Sequence, residues 1–369
     1  MKALAVSMLI FIGVYATGQS LPQAQNIFII TLDGYRWQEV FGGADEGLVG
    51  NPRYVSDTAL LQQLYWDNDT ASRRSLLMPF FWNVIAKKGQ LYGNRRYDNN
   101  MNVKNIYKFS YPGYNEIFTG YADLKFVPNT PVLNRNTNIL EFLNAQDEYK
   151  GKCVAFTSWN IFPHILNESR MGIEVNSGYE PNKITDSNST YQLINKVQED
   201  VAEKKHTRYD ELTFLSAKEY IKQHHPKVAF IGLGETDEFA HENQYDQYLH
   251  AANKADKMIA ELWYYVQTDP VYKNNTTFII TTDHGRGNKP RTWHEHNTLI
   301  KGSGEIWMAL LGPGILPMGE MKTEGRIFQK QIASTIAMLL GQKFETEHTV
   351  GEPIALPTVQ ANNMAVAGK

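Results

Sequence analysis

The sequence has little of several features that would define special classes of protein. Its 369 residues include one cysteine, Cys153, so the chain forms no intramolecular disulfide and must be stabilised by packing. It has no acidic or basic blocks, and its formal net charge is only −3. This charge balance does not predict nucleic-acid binding or electrostatic docking to a membrane. What remains is an ordinary globular composition, with 42% hydrophobic residues and no internal repeat or linker.

The main apolar run lies at the N-terminus. Met1 and Lys2 precede an apolar segment from Ala3 to Ala16, which small and polar residues follow. This pattern is typical of a secretory signal peptide, and the run is too short for a comfortable membrane span. We therefore predict a signal peptide over residues 1–18, a periplasmic or secreted mature protein, and no membrane span after signal removal. An ordinary buried N-terminal helix is the alternative.

Three predicted strands each end close to acidic or imidazole side chains. The strand over residues 27–32 runs into Asp33, and the strand over 278–282 runs into Asp283 and His284. A third strand begins at residue 228 and is followed by Asp237 and His241. Strands alternate with helices, so we predict an α/β fold whose mostly parallel sheet is covered on both faces. Ligands of such sheets bind at the carboxyl ends of the strands.

Helices are predicted from apolar periodicity over residues 76–88, 209–224 and 245–266. Residues 51–75 are polar and are predicted to form a loop. Residues 358–369 form a tail without periodicity, for which disorder is expected.

A serine lies where another helix is predicted to begin. Ser110 stands two residues before Pro112. Free N–H groups at a helix N-terminus favour an anion, which is compatible with a nucleophile that attacks an anionic ester. A plain helix-capping serine is the simpler local interpretation. The potential metal ligands elsewhere in the chain favour the nucleophile.

The acidic and imidazole residues together form a set of possible metal ligands. Three aspartates and three histidines would make two mixed nitrogen and oxygen sites, a chemistry that suits zinc better than calcium or magnesium. Two zinc ions roughly 4 Å apart can hold an ester and activate a hydroxyl nucleophile, for which Ser110 is the natural choice. The set comprises Asp33, Asp237, His241, Asp283, His284 and either His294 or His296.

Taken in order, these motifs resemble the alkaline phosphatase superfamily, and most closely its type I phosphodiesterase and nucleotide pyrophosphatase branch. The resemblance covers about residues 26–342 and implies a three-layer αβα sandwich, with residues 19–369 as a single catalytic domain. The motifs that carry it are Leu32-Asp33-Gly34, Ser110-x-Pro112 with Thr119-Gly120, Asp237-x-x-x-His241, Asp283-His284-Gly285 and a later histidine.

The resemblance also implies how the ligands divide. One zinc site would use Asp33, Asp283 and His284, with Ser110 nearby. The other would use Asp237, His241 and the late histidine, assigned to His296 with His294 as the fallback. The implied function is a secreted dizinc hydrolase of small phosphate esters that forms a phosphoseryl intermediate on Ser110. Backbone N–H groups after Ser110 are expected to stabilise the transition state.

Three departures from the family pattern affect the assignment. The diesterase branch usually has threonine where Ser110 stands, and Ala240 replaces a glycine expected before His241. The chain is also too short for a large cap domain. Tyr114 replaces the arginine of the sulfatase motif, which speaks against conversion of Ser110 to formylglycine.

Several functional alternatives stay open. A sulfatase-like sulfuric ester hydrolase and a phosphoglycerate mutase-like isomerase use similar ligands, although the signal peptide and the length speak against the isomerase. A non-enzymatic binding protein would be favoured by missing ligands, and none is missing.

Monoester and diester substrates are not distinguished by the sequence. Arg286, Lys108 or Arg95 could supply the cation that a monoester needs, and Asn115 or Asn134 could donate to a phosphoryl oxygen. A surface arginine that only forms a salt bridge is an equal alternative for the cation.

Overall fold

A computed structural model describes residues 23–125, 129–183, 189–201 and 206–357. The predicted signal peptide and the tail after residue 358 lie outside these ranges. The strands are β1 (Asn26–Leu32), β2 (Gln90–Tyr92), β3 (Asn99–Asn102), β4 (Cys153–Thr157), β5 (Glu174–Ser177), β6 (Val228–Leu233), β7 (Thr276–Thr281), β8 (Glu305–Ile306), β9 (Met308–Leu311), β10 (Gly319–Glu320) and β11 (Gly325–Phe328). The α-helices are α1 (Trp37–Gly42), α2 (Glu46–Val49), α3 (Thr58–Tyr65), α4 (Thr70–Leu77), α5 (Ala86–Lys88), α6 (Ser110–Thr119), α7 (Ile139–Asn144), α8 (Phe162–Ile165), α9 (Glu168–Met171), α10 (Ser189–Glu199), α11 (Asp210–His224), α12 (Glu235–His241), α13 (Tyr245–Thr268) and α14 (Ile332–Leu339).

The described strands form a large central sheet in the order β10-β2-β9-β7-β1-β6-β4-β5. The run from β7 to β5 is parallel throughout, and β9 is antiparallel to both of its neighbours. Strands β1, β6 and β7 are buried along their whole length, as parallel strands covered on both faces must be. The predicted mostly parallel sheet is confirmed.

The two faces of the sheet belong to separate hydrophobic cores. Along β1, Phe28 and Ile30 point into one core, and Ile27 and Ile29 point into the other, because successive side chains of a strand alternate. Helices α1 to α4, α11 and α13 pack in the first core, and α6, α7 and α14 pack in the second. The three-layer αβα sandwich is therefore confirmed.

A smaller sheet in the order β11-β3-β8 was not predicted. Its strands are two to four residues long, and β3 is three-quarters asparagine. Neither an alternation of apolar residues nor a high β-propensity therefore indicated these strands. One residue, Trp307, separates β8 from β9 and so joins the two sheets. Its indole N–H donates to the carbonyl of Tyr35 at 2.8 Å, and its own carbonyl accepts from the Thr281 hydroxyl at 2.6 Å.

The loop predicted over residues 51–75 is wrong, because α3 and α4 lie there. Each helix begins at an aspartate cap: Asp57 accepts from the N–H of Leu60 at 2.9 Å, and Asp69 accepts from that of Ser72 at 2.8 Å. Such caps are a start signal that polar composition hides. The helix predicted over 76–88 is interrupted after Leu77 and continues as a π-helical turn, Phe81–Ile85, and α5. Those predicted over 209–224 and 245–266 correspond to α11 and α13.

No helix in the described ranges is long and apolar enough to cross a lipid bilayer.

Candidate metal centre

Three adjacent parallel strands end at one edge of the central sheet. Strand β1 lies between β7 and β6, and the side chains that follow all three converge there. Asp33 follows β1 directly, Asp283 comes two residues after β7, and α12 after β6 carries Asp237 and His241. The ligand set from the sequence thus comes together in space although it spans more than 260 residues.

The first cluster comprises Asp33, Asp283, His284 and Ser110. The His284 Nε2 atom lies 3.4 Å from Asp33 Oδ1, 3.4 Å from Asp283 Oδ2 and 3.2 Å from Ser110 Oγ. Ser110 Oγ is also 3.4 Å from Asp33 Oδ1. All four residues are buried.

The second cluster comprises Asp237, His241 and His296. The His241 Nε2 atom lies 3.1 Å from Asp237 Oδ2 and 3.0 Å from His296 Nε2, which is 3.8 Å from Asp237 Oδ1. His241 is about half exposed, whereas His296 is largely buried. His284 also comes within 3.7 Å of Asp237, so the two clusters adjoin. The structure brings His296 into the cluster, whereas His294 lies beside the rings of Tyr54 and Trp293.

Hydrogen bonds set the ring orientation of two of these histidines. The Nδ1 atom of His284 lies 2.9 Å from the carbonyl of Gly285, and that of His296 lies 3.1 Å from the carbonyl of Lys108. Because a carbonyl only accepts, each Nδ1 carries a proton, and Nε2 is the atom that presents a lone pair to the cluster when the ring is neutral. Ligand histidines in proteins are held in this way.

The electrostatics of the first cluster leave it short of positive charge. Burial and the neighbouring carboxylate of Asp33 raise the pKa of Asp283 to about 8. Burial lowers the pKa of His284, but Asp283 and Asp33 outweigh it and raise the pKa to about 9. Asp283 Oδ2 is buried and has no hydrogen-bond partner. A buried oxygen of this kind is costly unless a cation occupies the cluster.

These residues fit divalent metal ions. Ligand atoms of Asp33, Asp283 and His284 all lie within 4.8 Å of one another, as do those of Asp237, His284 and His296. Carboxylate oxygens and imidazole nitrogens with lone pairs turned inward are a donor set suited to a transition metal.

Ser110 is the first residue of α6, and it does not cap that helix. The cap position is Phe109, without a side-chain cap hydrogen bond, and Ser110 Oγ faces Asp33 and His284 instead. The interpretation of Ser110 as a capping serine is therefore wrong.

The expected backbone donors after Ser110 are already engaged. The N–H of Tyr111 donates to Asn129 at 2.8 Å, and that of Gly113 donates to the carbonyl of Phe109 at 3.0 Å. Pro112 has no N–H. A transition state would have to displace Asn129 to reach the N–H of Tyr111, whereas Pro112 and Gly113 offer no free N–H.

Tyr114 is a site residue that sequence reasoning treated only as a missing arginine. Its hydroxyl donates to Asp33 Oδ2 at 3.0 Å and lies 3.4 Å from the Thr31 hydroxyl. This bond leaves Asp33 Oδ1 turned toward Ser110 and His284. The four-residue spacing from Ser110 puts both side chains on one face of α6, which is the signal that could have identified it.

Two further residues that the sequence did not single out hold α6 and the loop after β7 together. A Cβ on Gly113 would lie 2.4 Å from the carbonyl oxygen of Asp283, so only glycine allows this close approach. Gln329 is fully buried, and its side-chain amide donates to the carbonyls of Asp283 at 2.7 Å and Thr282 at 3.1 Å. Both contacts fix where Asp283 lies relative to Ser110.

Arg286 lies in the centre but is directed at protein groups. It is buried, its guanidinium contacts the Asp237 carboxylate and the carbonyl of His294, and its Nε donates to the carbonyl of Gly34 at 3.1 Å. Burial lowers its pKa to about 9, against the opposing effect of Asp33. Arg286 therefore positions Asp237, and the expected substrate contact would have to compete with these bonds.

The two asparagines expected to bind substrate lie in a different cluster. The Asn115 amide donates to the carbonyl of Tyr121 at 2.8 Å, and its oxygen accepts from Asn134 at 3.1 Å and Asn136 at 3.0 Å. Asn134 also donates to the carbonyl of Ile165 at 3.0 Å. Their amides are satisfied within the protein, and the structure does not bring them to the two metal-ligand clusters.

A family model described as the Metalloenzyme superfamily matches residues 126–349. This is more than half of the chain, and the chain belongs to that superfamily. The matched segment contains Asp237, His241, Asp283, His284 and His296, whereas Asp33 and Ser110 precede it. A comparison with curated proteins finds no match.

Solved structures identify the fold more closely. The alkaline phosphatase PafA has a TM-score of 0.57 at 11% identity, covering 91% of this chain and 99% of that chain. The 2-O GAG sulfatase BT1596 has a TM-score of 0.55 at 13% identity, and the match covers 89% of this chain and 73% of that chain. A protein in the alkaline phosphatase superfamily from Vibrio parahaemolyticus has a TM-score of 0.53 at 13% identity, covering 93% and 74%. The resemblance to the alkaline phosphatase superfamily is confirmed at the level of fold.

Proposed function

We propose that this protein is a dizinc hydrolase of phosphate esters in which Ser110 is the nucleophile. The observation that carries the proposal is the position of Ser110 Oγ, 3.2 Å from His284 Nε2 and 3.4 Å from Asp33 Oδ1 in a buried cluster. Ser110 Oγ faces Asp33 and His284 and does not cap α6, so its hydroxyl is held beside groups that attract cations. A hydroxyl in that position is suited to be the attacking group at a metal centre.

Zinc is the proposed metal because the six converging side chains are three aspartates and three histidines. When bound, two zinc ions supply positive charge to the phosphoryl oxygens and lower the pKa of the Ser110 hydroxyl. Asp33, Asp283 and His284 would hold one ion, and Asp237, His241 and His296 would hold the other. His284 lies between the clusters.

The remaining steps belong to residues of the chain. Ser110 Oγ loses its proton to solvent and forms a bond to phosphorus as the bond to the leaving oxygen breaks, and the leaving oxygen takes a proton from solvent. Water then cleaves the phosphoserine, and inorganic phosphate or a phosphomonoester is released. Tyr114 holds the carboxylate of Asp33 so that Oδ1 faces Ser110. Arg286 likewise holds the carboxylate of Asp237 in place through its guanidinium.

Phosphate esters are preferred over sulfate esters in this proposal, and the type I phosphodiesterase branch is its finer form. Tyr114 donates to Asp33 where the sulfatase motif has an arginine, so the residue needed to convert Ser110 is absent from that position. The known fold serves both chemistries, because its relatives include a phosphatase and a sulfatase.

Turnover of three aryl esters tests the proposal. The zinc-loaded protein should hydrolyse an aryl phosphate monoester or a diester with a kcat/KM well above that for the aryl sulfate. The ratio of monoester to diester assigns the branch. A larger kcat/KM for the sulfate would replace the proposal with a sulfatase, and no turnover of any ester by zinc-loaded protein would refute it.

Export of the protein is a separate part of the proposal. It is supported by the positive start and the apolar segment from Ala3 to Ala16. N-terminal sequencing of native protein should find a start near residue 19. Native protein that retains Met1 would contradict export by this signal.

A further inference from the structure

A surface pocket of about 660 Å³ lies over the small sheet, beside the metal centre. Arg326 pairs with Asn100, and Phe328 pairs with Asn102, which also pairs with Glu305 of β8. Side chains at paired positions share one face, so these residues form the pocket floor together. The floor thus combines one arginine, two asparagines and Glu305 with the ring of Phe328.

The walls of the pocket are basic. Lys104 and Lys108 line one side, and Lys301 lines another. Glu305 is the one carboxylate among the lining residues, and it is 3.4 Å from the Nε of Arg95 and accepts from the indole of Trp37 at 2.9 Å.

Three cations of the pocket have no carboxylate partner among the described residues. In the ranges that the structure describes, no carboxylate lies within ion-pair distance of three exposed residues, Lys104, Lys301 and Arg326. The whole chain has a net charge of −3, so this excess of positive charge is local. Positive charge gathered in a concave surface raises the local concentration of anions.

Both walls begin within two residues of the metal centre. Lys108 is two residues before Ser110, and Thr298 is two residues after His296. Consecutive Cα atoms are 3.8 Å apart, so each pair of Cα atoms is separated by no more than about 7.6 Å. The pocket and the metal centre are therefore neighbours along both segments of the chain.

Lys108 connects the metal centre and the pocket, and its backbone conformation is unusual. Its φ is +57°, in the left-handed region that non-glycine residues avoid. Its carbonyl accepts from His296 in the metal centre at 3.1 Å, and its ammonium donates to the carbonyl of Thr298 at the pocket wall at 3.1 Å. Strain of this kind persists where the surrounding structure over-determines it, and it concentrates at functional sites.

We propose that the pocket, defined by Lys104, Lys301 and Arg326, binds a second anionic group of the substrate whose phosphoryl group lies at Ser110. The inference rests on the proposed function. The recognised group is a phosphate, sulfate or carboxylate on the part of the substrate away from the reacting phosphorus. The preferred substrates are therefore esters with two separated anionic groups, rather than esters of neutral alcohols.

The kinetic test compares two aryl esters on the zinc-loaded full chain. One is phenyl phosphate, and the other carries a second phosphate at the para position of the ring. Replacing the pocket charges in Lys301→Glu/Arg326→Glu should lower kcat/KM for the bisphosphate by roughly tenfold or more, since each charge reversal turns an attraction for the distal phosphate into a repulsion. The kcat/KM for phenyl phosphate should stay within about twofold of the parent.

The matched control is Lys222→Glu, an exposed lysine at the C-terminal end of α11, away from the edge where the ligands converge. It should leave the ratio of the two kcat/KM values unchanged. The preference of the parent for the bisphosphate should also shrink with added salt. Equal losses on both esters, or no loss on either, would overturn the proposal. Lys301→Gln alone gives the same readout should the double variant unfold.

Binding separates failure of the pocket from failure of the proposed function. Phenylphosphonate and 1,4-phenylenebisphosphonate are titrated calorimetrically into zinc-loaded parent and double variant. The pocket is supported if the parent binds the bisphosphonate more tightly than phenylphosphonate and the double variant does not. This result would support the pocket even if no ester is hydrolysed. If the parent and the double variant bind the bisphosphonate with equal affinity, the pocket is refuted, whatever the turnover. A single-stranded oligonucleotide that binds the parent as tightly as the bisphosphonate, and not the variant, would reassign the pocket to a nucleic acid.

Discussion

The imidazole rings of His284 and His296 stack face to face, with centroids 3.9 Å apart and planes inclined by 13°. The two rings come from different clusters of the centre, one after β7 and the other in the loop before β8. Each is held through its Nδ1 atom by a backbone carbonyl. The two proposed metal positions thus share a wall, and a change at one ring alters the packing of the other.

Metal content is the first prediction. The purified protein should contain about two zinc ions per chain. Asp283→Asn keeps the shape of the side chain but removes the buried charge, so it should lose bound zinc and nearly all ester hydrolysis. Elemental analysis and turnover measure both. Asp147→Asn, at an exposed position, is the control. Protein that holds no metal and gains no activity from added zinc would remove the proposed centre.

The nucleophile is tested by substitution of Ser110. Ser110→Ala should keep the fold and the zinc but lower kcat by roughly two orders of magnitude or more, with residual activity from the remaining groups of the centre. Ser110→Thr supplies the same hydroxyl and should retain much more activity. Mass spectrometry of acid-quenched reactions should detect phosphate on Ser110 in the parent. Parent-like kcat in Ser110→Ala would make a water molecule the nucleophile.

Gly113 gives a prediction about packing. Alanine would gain about 1 kcal/mol in helix propensity. It would also place a Cβ 2.4 Å from the Asp283 carbonyl oxygen, and overpacking of this kind costs about 1–3 kcal/mol. Gly113→Ala should therefore lower the free energy of unfolding, measured by denaturant titration, and weaken zinc binding because Asp283 is displaced. Gly325→Ala, whose nearest neighbouring atom is 3.9 Å away, should do neither. An unchanged zinc affinity in Gly113→Ala would show that α6 moves instead.

Asp256 gives a pH-dependent prediction away from the metal centre. Burial raises its pKa to about 7, although the N–H groups of Phe80 and Phe81 donate to it at 2.7 and 2.8 Å. Because the folded pKa lies above the unfolded value, its stabilising contribution is lost as pH rises toward 7. The free energy of unfolding of Asp256→Asn, relative to the parent, should therefore increase by roughly 2–3 kcal/mol between pH 5 and pH 8.

Denaturant unfolding at the two pH values measures this difference. Asp200→Asn, at an exposed position, should show a difference from the parent that does not change with pH. The prediction for Asp256 fails if its difference is equally constant.

Sequence patterns were sufficient to predict the positions of residues that directly follow a strand. Asp33 and Asp283 follow buried apolar strands, and that local order fixes the edge at which they lie. Sequence patterns were insufficient to predict contacts between distant segments of the chain. Gln329 reaches Asp283 across 46 residues, and nothing in its neighbours announces a role. Only the packing of α14 and α6 brings it there.

Helix geometry explains why Tyr114 and Asn115 lie in different surroundings. At 100° per residue, Tyr114 is turned about 40° from Ser110, and Asn115 is turned about 140°. Tyr114 therefore faces Asp33, and Asn115 faces away, toward Asn134. The turn of α6 thus directs Asn115 away from the helix face that carries Ser110 and Tyr114.

Trp307 makes the two sheets a single mechanical unit. On one side it continues into β8, whose Glu305 lines the basic pocket, and on the other into β9, which is paired with β7. Its carbonyl and indole are bonded to Thr281 and Tyr35, near Asp283 and Asp33 in the chain. If an anion bound in the proposed pocket displaces the small sheet, we expect Trp307 to transmit that displacement to the strand ends that carry the carboxylates. Recognition of the distal group would then be coupled to the spacing of Asp33 and Asp283.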